Sequence, residues 1–213
     1  MNATRSDTAI VLLEAAQRCL QRHGVAGLST RKVAEEAGMP LSQIHYHLGS
    51  KRGLLLGLLD YQNQKLLARQ EAMFSQPQPL WARWMKACDY LDEDLASGYV
   101  RMLQEMIAAG WSDPEIASEV RRNLRGWYEL LTQVAAQAME RLGGLGPLQP
   151  GEAAALAANV FLGAEAMILL GFTEQDVPAR SALRKVGELL RALEPGPDPD
   201  PPGESHARDR TDP

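Results

Sequence analysis

Residues 29–55 read STRKVAEEAGMPLSQIHYHLGSKRGLL, and this stretch decides the fold of the N-terminal part of the chain. Ser29 is a helix-capping residue before a short helix that Gly38 ends, and a second short helix is predicted over residues 41–48. A glycine–serine break then precedes a longer, leucine-rich helix. Two short helices joined by a tight glycine-containing turn predict a helix-turn-helix, the motif whose second helix enters the major groove of DNA.

The second short helix has an outward polar face and an inward apolar face. At about 100° per residue, Ser42, Tyr46 and, at its edge, Gln43 share one outward arc. Ile44 and Leu48 lie on the inward side and are expected to hold the helix against the core.

The two histidines of this helix leave alternatives to DNA contact open. His45 and His47 are two residues apart, so on a helix they diverge by roughly 200° and cannot ligate one metal ion. A catalytic dyad would need a nucleophile and an orienting group within reach, and Ser42 and Ser50 lack a supporting acid nearby in the sequence. A solvated helix face without function remains possible. Imidazole N–H groups, the Tyr46 hydroxyl and Lys51 suit contact with phosphates.

The rest of the chain is also predicted to be helical, so the expected fold class is all-α with nine helices. Apolar residues recur at helical spacing, and Gly, Pro and capping residues punctuate them. Besides the two short helices and the one from Ser50 to about Phe74, the predicted helices cover 7–23, 79–96, 99–109, 113–142, 151–171 and 179–193.

Three regions are predicted from these elements. Residues 1–60 form a helix-turn-helix DNA-binding domain with its motif at about 29–48, and residues 61–193 form a helical ligand-binding and dimerisation domain. Residues 194–213 are rich in Pro and Asp with almost nothing apolar. Such a segment cannot offset its ordering entropy by burial, so this tail is expected to be disordered.

Composition and charge fit a soluble DNA-binding protein. Only Cys19 and Cys88 occur, so a reducing cytoplasm is expected and no disulfide framework is implied. No secretory signal is visible, and the apolar residues 153–170 are predicted to be a buried helix rather than a membrane span. Residues 1–75 carry nine Lys and Arg against six Asp and Glu, whereas the remainder carries thirteen against twenty-one. The basic excess therefore lies where a polyanion would bind.

The stretch from Leu13 to Leu55 resembles the DNA-binding region of the TetR family of bacterial transcriptional repressors. The shared features are Ala15-Ala16, Gly24, Ser29-Thr30-Arg31, Ala34, Ala37-Gly38, His47, Ser50-Lys51 and Leu54-Leu55. The resemblance is close over about the first 60 residues, and the rest matches in helix count and size. It implies three helices for DNA, a fourth as connector, and five that form an effector-binding and dimerisation domain.

Matching positions imply two sets of DNA contacts. Phosphate contacts are expected from Thr30, His47 and Lys51. Base-edge contacts are expected from Arg31, Ser42, Gln43 and Tyr46. Arginine can pair bidentately with guanine and glutamine with adenine, which would give Arg31 and Gln43 the most specific roles.

Three positions depart from the family pattern. Pro40 replaces a serine and fits a first-turn position, and Leu48 replaces a phenylalanine as a smaller core residue. His45 replaces a tyrosine that typically meets a phosphate. Because a protonated imidazole attracts phosphate, we expect operator binding through His45 to strengthen as the pH falls toward about 6.5.

The last two predicted helices are expected to form the dimer. The helix at 151–171 is apolar nearly all round, and Gly163 permits close helix approach. The helix at 179–193 has an apolar stripe of Leu183, Val186, Leu190 and Leu193. With their symmetry mates the two would build a four-helix bundle and a homodimer that binds a palindromic operator, although both could be internal core instead.

An effector cavity is expected among the helices from 79 to 142. Tryptophans and methionines can line an apolar cavity, although they more often fill ordinary core. The candidate ligand-binding residues are Trp84, Met106, Trp127 and Glu165. The expected ligand is a small hydrophobic or aromatic molecule.

The sequence thus predicts a DNA-binding transcriptional repressor that a small-molecule effector releases from double-stranded DNA. We expect no catalytic residues, no metal, no cofactor and no membrane contact. An enzyme on a helical bundle is the first alternative, but paired acids in register, an HExxH motif and a phosphate-binding loop are all missing. A DNA-binding activator or architectural protein with the same reading head is the second.

Overall fold

The computed structural model describes residues 6–194, and these form nine α-helices and no β-strand. The predicted all-α fold is therefore confirmed. The helices are α1 Asp7–Gly27, α2 Thr30–Ala37, α3 Leu41–Leu48, α4 Lys51–Phe74, α5 Leu80–Ser97, α6 Tyr99–Gly110, α7 Pro114–Leu142, α8 Pro150–Leu169 and α9 Ala179–Leu193. Apart from Glu194, the predicted disordered tail lies outside the described residues.

Serine side chains cap α2 of the N-terminal head, α1–α3, and the helix α4 that follows the head. The Oγ atom of Ser29 accepts a hydrogen bond from the backbone N–H of Lys32 at 3.2 Å, and Ser50 does the same for Gly53 at 3.2 Å. Gly38 ends α2 in the left-handed conformation with φ 64°. Gly24, the expected end of α1, is instead a kink with φ 64° inside the helix. These local rules explain why α2 and α3 are short.

The junction between α3 and α4 is a close backbone approach. A Cβ atom on Gly53 would lie 2.0 Å from the carbonyl oxygen of Leu48, a distance that real Cβ atoms do not reach. Gly53 therefore lets the first turn of α4 sit directly against the end of α3, and this packing fixes the angle between the two helices.

A continuous core joins the head to the helical body. Leu13, Val33 and Ile44 are fully buried in the head, and the same cluster extends to Met102 and Leu183 in the body. α4 passes through both parts, and its 24 residues span about 36 Å. The predicted domain boundary near residue 60 falls inside this unbroken helix.

Polar contacts attach α9 to α5 along the side of the body. Arg180 pairs with Asp92 at 2.8 Å and Arg184 with Asp89 at 3.0 Å. Trp84 donates its Nε1–H to the carbonyl oxygen of α9 residue 183 at 2.7 Å. These contacts hold α9 across one wall of the interior.

Glu194 has a structural role that its assignment to the tail did not predict. Its carboxylate accepts hydrogen bonds from the backbone N–H groups of Leu80 at 2.6 Å and Trp81 at 3.1 Å. It thereby caps the N-terminus of α5, where Pro79 offers no side-chain cap.

In the single chain, α8 is only partly buried. It is the one helix among the described residues that is long and apolar enough to cross a membrane. Leu156 is 55% exposed and Val160 48%, and no described atom lies near a Cβ built on Gly163.

The apolar residues of α9 are also divided between the core and the solvent. Leu183 is 1% exposed and faces the core, whereas Leu193 is 62% exposed and Leu189, which the stripe omitted, is 64% exposed. α8 and α9 therefore leave apolar side chains open to solvent in the single chain, and such surfaces are typical of a protein–protein contact.

Candidate DNA interface and ligand cavity

The face that α3 turns outward is polar, as the helical period predicts. Ser42 is exposed, Gln43 is partly exposed, and Tyr46 is 82% exposed, whereas Ile44 on the opposite side is fully buried. Pro40 is the N-cap of α3, one residue before the first turn to which the sequence assigned it.

Helix N-termini present two of the three residues expected to contact phosphates, whereas His47 lies in the last turn of α3. Thr30 is the first residue of α2 and Lys51 the first residue of α4, each directly after a capping serine. The backbone N–H groups at such ends favour anions, and a lysine there adds a full charge. Arg31 is exposed and pairs with no acid among the described residues, so its guanidinium is available to a partner.

The His45 ring makes a backbone hydrogen bond that fixes its tautomer. Its Nδ1 atom lies 2.8 Å from the carbonyl oxygen of Gly49. A carbonyl oxygen only accepts, so Nδ1 carries the proton, and Nε2 of the neutral ring has none to donate. An Nε2–H that can meet a phosphate therefore exists only in the imidazolium form.

His47 occupies a different setting. Its ring packs edge-on against Tyr46 with centroids 4.8 Å apart, and its Nδ1 lies 3.4 Å from the Oγ atom of Ser6. Residues 6–194 contain no group of three or more His, Cys, Asp or Glu side chains that could hold a metal ion.

The helical body encloses an elongated, predominantly apolar cavity of about 370 Å³. Trp84, Trp127 and Glu165 line it, as expected for a ligand site. Met106 does not: it is 5% exposed and belongs to the core. A methionine at an inward helical position fits a core or a cavity wall equally well, so its period could not distinguish them.

Glu165 is the buried acid of this cavity. It is 8% exposed, and Gln104 donates a hydrogen bond to its Oε2 at 2.9 Å. Burial raises the pKa of Glu165 to about 7; the Gln104 hydrogen bond partly opposes this, and the negative charge of Asp94 adds to it. The neighbouring Tyr99 is also buried, which raises the pKa of its phenol.

Arg83 is a wall residue that the sequence analysis missed. It is 4% exposed, and its Nη2 donates to the carbonyl oxygen of Gln76 at 2.8 Å. Its Nε has no partner, and no carboxylate of the described chain pairs with it. Burial lowers the pKa of this guanidinium, the charge of Arg141 lowers it further, and the negative charge of Glu194 partly opposes them. The sequence did contain a clue, because Arg83 stands three residues after Leu80 on the apolar stripe of α5.

The DNA-binding head has a recognisable family. Residues 12–58 match the family model described as bacterial regulatory proteins, tetR family. This match places the head, over residues 12–58, in the TetR family. The resemblance found in the sequence is therefore confirmed for this region.

Solved structures extend the likeness to the TetR fold of the whole described chain. A TetR transcription regulator from Haloarcula marismortui has a TM-score of 0.70 at 19% identity, over 89% of this chain and 99% of that one. SmeT, the repressor of a Stenotrophomonas maltophilia multidrug efflux pump, gives 0.60 at 18% identity, over 87% and 88%. Bacillus subtilis FadR in complex with stearoyl-CoA gives 0.61 at 15%, over 85% and 96%. No curated protein matches the chain.

Within this TetR fold, α4 and α7 connect the DNA-binding head to the cavity. Next to Lys51, the Arg52 guanidinium pairs with Asp113 at 2.7 Å and Glu115 at 2.9 Å at the start of α7. The pKa of the Asp113 carboxyl is lowered, mainly by the hydrogen bond from the backbone N–H of Ile116 and then by the hydrogen bond from the Arg52 guanidinium. Farther along, both helices line the cavity. A change in the cavity wall can thus reach the head through two packed helices.

Proposed function

We propose that this chain is a sequence-specific transcriptional repressor that a small-molecule effector releases from a palindromic operator. The observation that carries the proposal is the combination of an exposed, polar α3 on a TetR-family head with an apolar cavity of about 370 Å³ in the body. The volume lies within the range of about 300–1,000 Å³ typical of small-molecule sites. The fold likeness to SmeT, a repressor, supports the repressor outcome.

The proposed DNA contacts follow from the exposed surface. Base edges are met by Arg31, Ser42, Gln43 and Tyr46, and phosphates by Thr30, His45, His47 and Lys51. All eight side chains are exposed or partly exposed, which is a requirement for contact with the duplex. Exposed α3 fits the major groove, as the second helix of a helix-turn-helix does.

The effector is proposed to be hydrophobic, with Trp84, Trp127 and Glu165 in its binding site. The cavity wall is mostly apolar. FadR, which shares the fold, was solved in complex with stearoyl-CoA. Met106 is proposed to be a core residue that does not contact the ligand.

A homodimer through α8 and α9 completes the proposal. Two copies related by a two-fold axis would cover the exposed apolar residues of both helices in a four-helix bundle. This use of the α8 surface favours a cytoplasmic protein over a membrane-bound one. The domain division of head, body and tail is retained as part of the same proposal.

Release is proposed to work by a population shift. A ligand that binds better to one arrangement of α4 and α7 favours the matching separation of the two heads in the dimer. If that separation no longer fits successive major grooves, operator affinity falls. The Arg52 contacts to Asp113 and Glu115 lie on the route between the cavity and the head.

The test is a selection of genomic DNA fragments on the full-length protein, followed by affinity measurements on the selected site. We expect a palindromic site and a steep loss of affinity with salt, because phosphate contacts release counterions. Arg31→Ala should cost about 1–3 kcal/mol and relax specificity at one base pair, while Lys51→Ala should weaken binding uniformly and lower the salt slope by about one.

Lys86→Ala is the matched control, since Lys86 is an exposed cation of α5 in the body. It should leave operator affinity unchanged. Failure to enrich any DNA sequence, or equal effects of Arg31→Ala and Lys86→Ala, would contradict the proposal. A promoter reporter in a strain lacking the gene separates a repressor from an activator.

A further inference from the structure

We propose that the cavity takes an elongated amphiphile whose anionic head, a carboxylate, pairs with the guanidinium of Arg83. This inference rests on the proposed effector site and adds the chemical class of the effector and its direction in the cavity. The remaining length of the ligand is apolar and follows α5 toward Glu165.

Arg83 is a buried cation without a counter-ion among residues 6–194. Only 4% of the residue is exposed, and its one hydrogen bond goes to a neutral backbone carbonyl of Gln76. A buried charge is costly unless it is paired and hydrogen-bonded, and an unpaired Nε–H adds to that cost. An anion bound in the cavity would supply both missing interactions, and the planar guanidinium suits a carboxylate best.

The nearby acids are already engaged elsewhere. Glu194 caps α5 through the N–H groups of Leu80 and Trp81. Asp94 accepts a hydrogen bond from Arg69 at 2.6 Å, and Glu165 accepts one from Gln104 at 2.9 Å. Arg83 is thus the cavity-lining charged residue that has no partner of opposite charge in the described chain.

The cavity is long, and its polar groups stand apart. Arg83 and Asp94 both line it from α5, and their separation of eleven residues corresponds to about 16 Å along the helix. Arg83 lies beside Gln76, just beyond the C-terminal end of α4, whereas Asp94 pairs with Arg69 of α4 and Glu165 accepts from Gln104 of α6. Leu, Val, Ala and aromatic side chains make up most of the remaining wall, which also includes the uncharged polar residues Asn63 and Gln70.

The two ends favour opposite parts of an amphiphile. At the distal end, burial favours the neutral carboxylic acid of Glu165, which an uncharged tail can approach. An ammonium head would be repelled by the unpaired Arg83 at one end of the cavity. At the other end it would have to displace the hydrogen bond between Gln104 and Glu165. A carboxylate head at Arg83 needs neither, which decides the direction of binding.

The experiment titrates the full-length protein with dodecanoate, methyl dodecanoate and dodecylamine, and follows the fluorescence of Trp84 and Trp127 in the cavity wall. The three probes share a chain and differ in head charge. We expect the wild type to bind dodecanoate at least about tenfold more tightly than the ester, because a charge-assisted hydrogen bond in a dry site has about this effect. Equal or tighter binding of the ester or the amine, or no saturable binding of any probe, overturns the inference.

Two variants test whether Arg83 is the cause. Arg83→Gln and Arg83→Met should lose the preference for dodecanoate over the ester. Arg125→Gln is the control, because Arg125 is an exposed cation of α7 outside the cavity, and it should keep the preference. A preference that survives in both Arg83 variants overturns the proposal.

Thermal unfolding without ligand separates a binding role from a structural one. Because an uncompensated charge is removed, Arg83→Met should unfold at the same temperature as the wild type or higher. A clearly lower unfolding temperature would make Arg83 a structural residue and overturn the inference. The DNA selection tests the proposed regulator independently. If a neutral compound releases the protein from its operator, only the assignment of a carboxylate head group is wrong, and the regulator proposal stands.

Discussion

His45 replaces the tyrosine that the family usually has at this position, and its ring can donate to a phosphate only when it is protonated. The hydrogen bond to Gly49 occupies Nδ1–H, so Nε2 gains its proton as the imidazolium forms. We expect operator affinity to be higher at about pH 6 than at about pH 8, because a protonated imidazole attracts phosphate. The gain should be about tenfold per half-site if one charge-assisted contact forms. Fluorescence anisotropy with a labelled operator at fixed ionic strength measures it.

His45→Tyr should flatten this pH dependence, because a phenol donates at every pH in the range. His47→Gln serves as the comparison, since His47 lies two residues away with a different hydrogen-bond partner. If His45→Tyr retains the full pH dependence and His47→Gln loses it, then the dependence comes from His47 and the prediction for His45 is wrong.

Glu165 should make the stability of the protein depend on pH. Burial raises its pKa from about 4.5 to about 7, so the folded state holds a proton that the unfolded state releases between these values. Stability should therefore fall as the pH rises from 4.5 to 7 and level off above 7, by on the order of 3 kcal/mol at most. Urea unfolding at a series of pH values measures this free energy.

Glu165→Gln should remove this component, because a neutral amide can still accept the hydrogen bond from Gln104. The variant should gain stability over the wild type between pH 5 and 7 and keep a constant advantage above 7. The exposed Glu105→Gln of α6 should show no such gain. A pH-independent difference between wild type and Glu165→Gln would show that the buried carboxyl does not titrate in this range.

Individual side chains were predictable where one helix decides their position. The period of α3 gave the outward face of Ser42 and Tyr46 and the inward position of Ile44. Arg83 and Glu165 were harder, because their environments are made by other helices that meet them only in three dimensions. The tautomer of His45 depends on the turn geometry at Gly49, which no residue pattern specifies.

At the scale of elements, the contact between α3 and α4 should be intolerant of any side chain at Gly53. A Cβ there meets the Leu48 carbonyl oxygen at 2.0 Å, and this backbone atom cannot rotate away. We expect Gly53→Ala to destabilise the protein by about 1–3 kcal/mol, as overpacking does. Urea unfolding measures the change, and operator affinity should fall because the angle of α3 changes.

Gly57→Ala is the matched control one turn farther along α4. Its Cβ would lie 3.4 Å from Leu48 Cδ2 and 3.6 Å from Leu13 Cδ2, which are ordinary contacts. Alanine is also the better helix former by about 0.5–1 kcal/mol, so this variant should be neutral or stabilised. Equal destabilisation by both substitutions would argue against the close approach as the cause.

Helix boundaries were predictable because the sequence states them locally. Serine caps, the Asp113–Pro114 start and glycine ends gave most boundaries to within a few residues. The sequence did not predict which apolar side chains of α8 and α9 are buried in the single chain. An apolar stripe has the same pattern whether it packs against the chain's own core or against a second copy. Burial in three dimensions separated Leu183 from Leu189.

At the scale of the whole molecule, the exposed face of α9 should control the oligomeric state. Leu189 is 64% exposed and does not line the cavity, so a charge there should act on association rather than on ligand binding. In the proposed two-fold interface, Leu189→Glu would bury two carboxylates, so we expect it to weaken the dimer by about tenfold or more. Sedimentation velocity over a range of concentrations measures the shift.

Val11→Glu is the control, since Val11 is an exposed apolar residue of α1, 39% accessible, far along the chain from α9. It should remain dimeric. If Leu189→Glu sediments like the wild type, the α8–α9 surface is not the dimer interface. Loss of the dimer without loss of operator affinity would instead contradict the palindromic operator.

The end of the described chain also has a practical consequence for sensor design. Glu194 closes the first turn of α5 within reach of the Arg83 end of the cavity, so residue 194 is an anchor rather than the start of a dispensable segment. A shortened version should stop no earlier than this glutamate. A fluorescent reporter joined just beyond it would stand near the Arg83 end of the cavity and could register ligand binding without DNA in the assay.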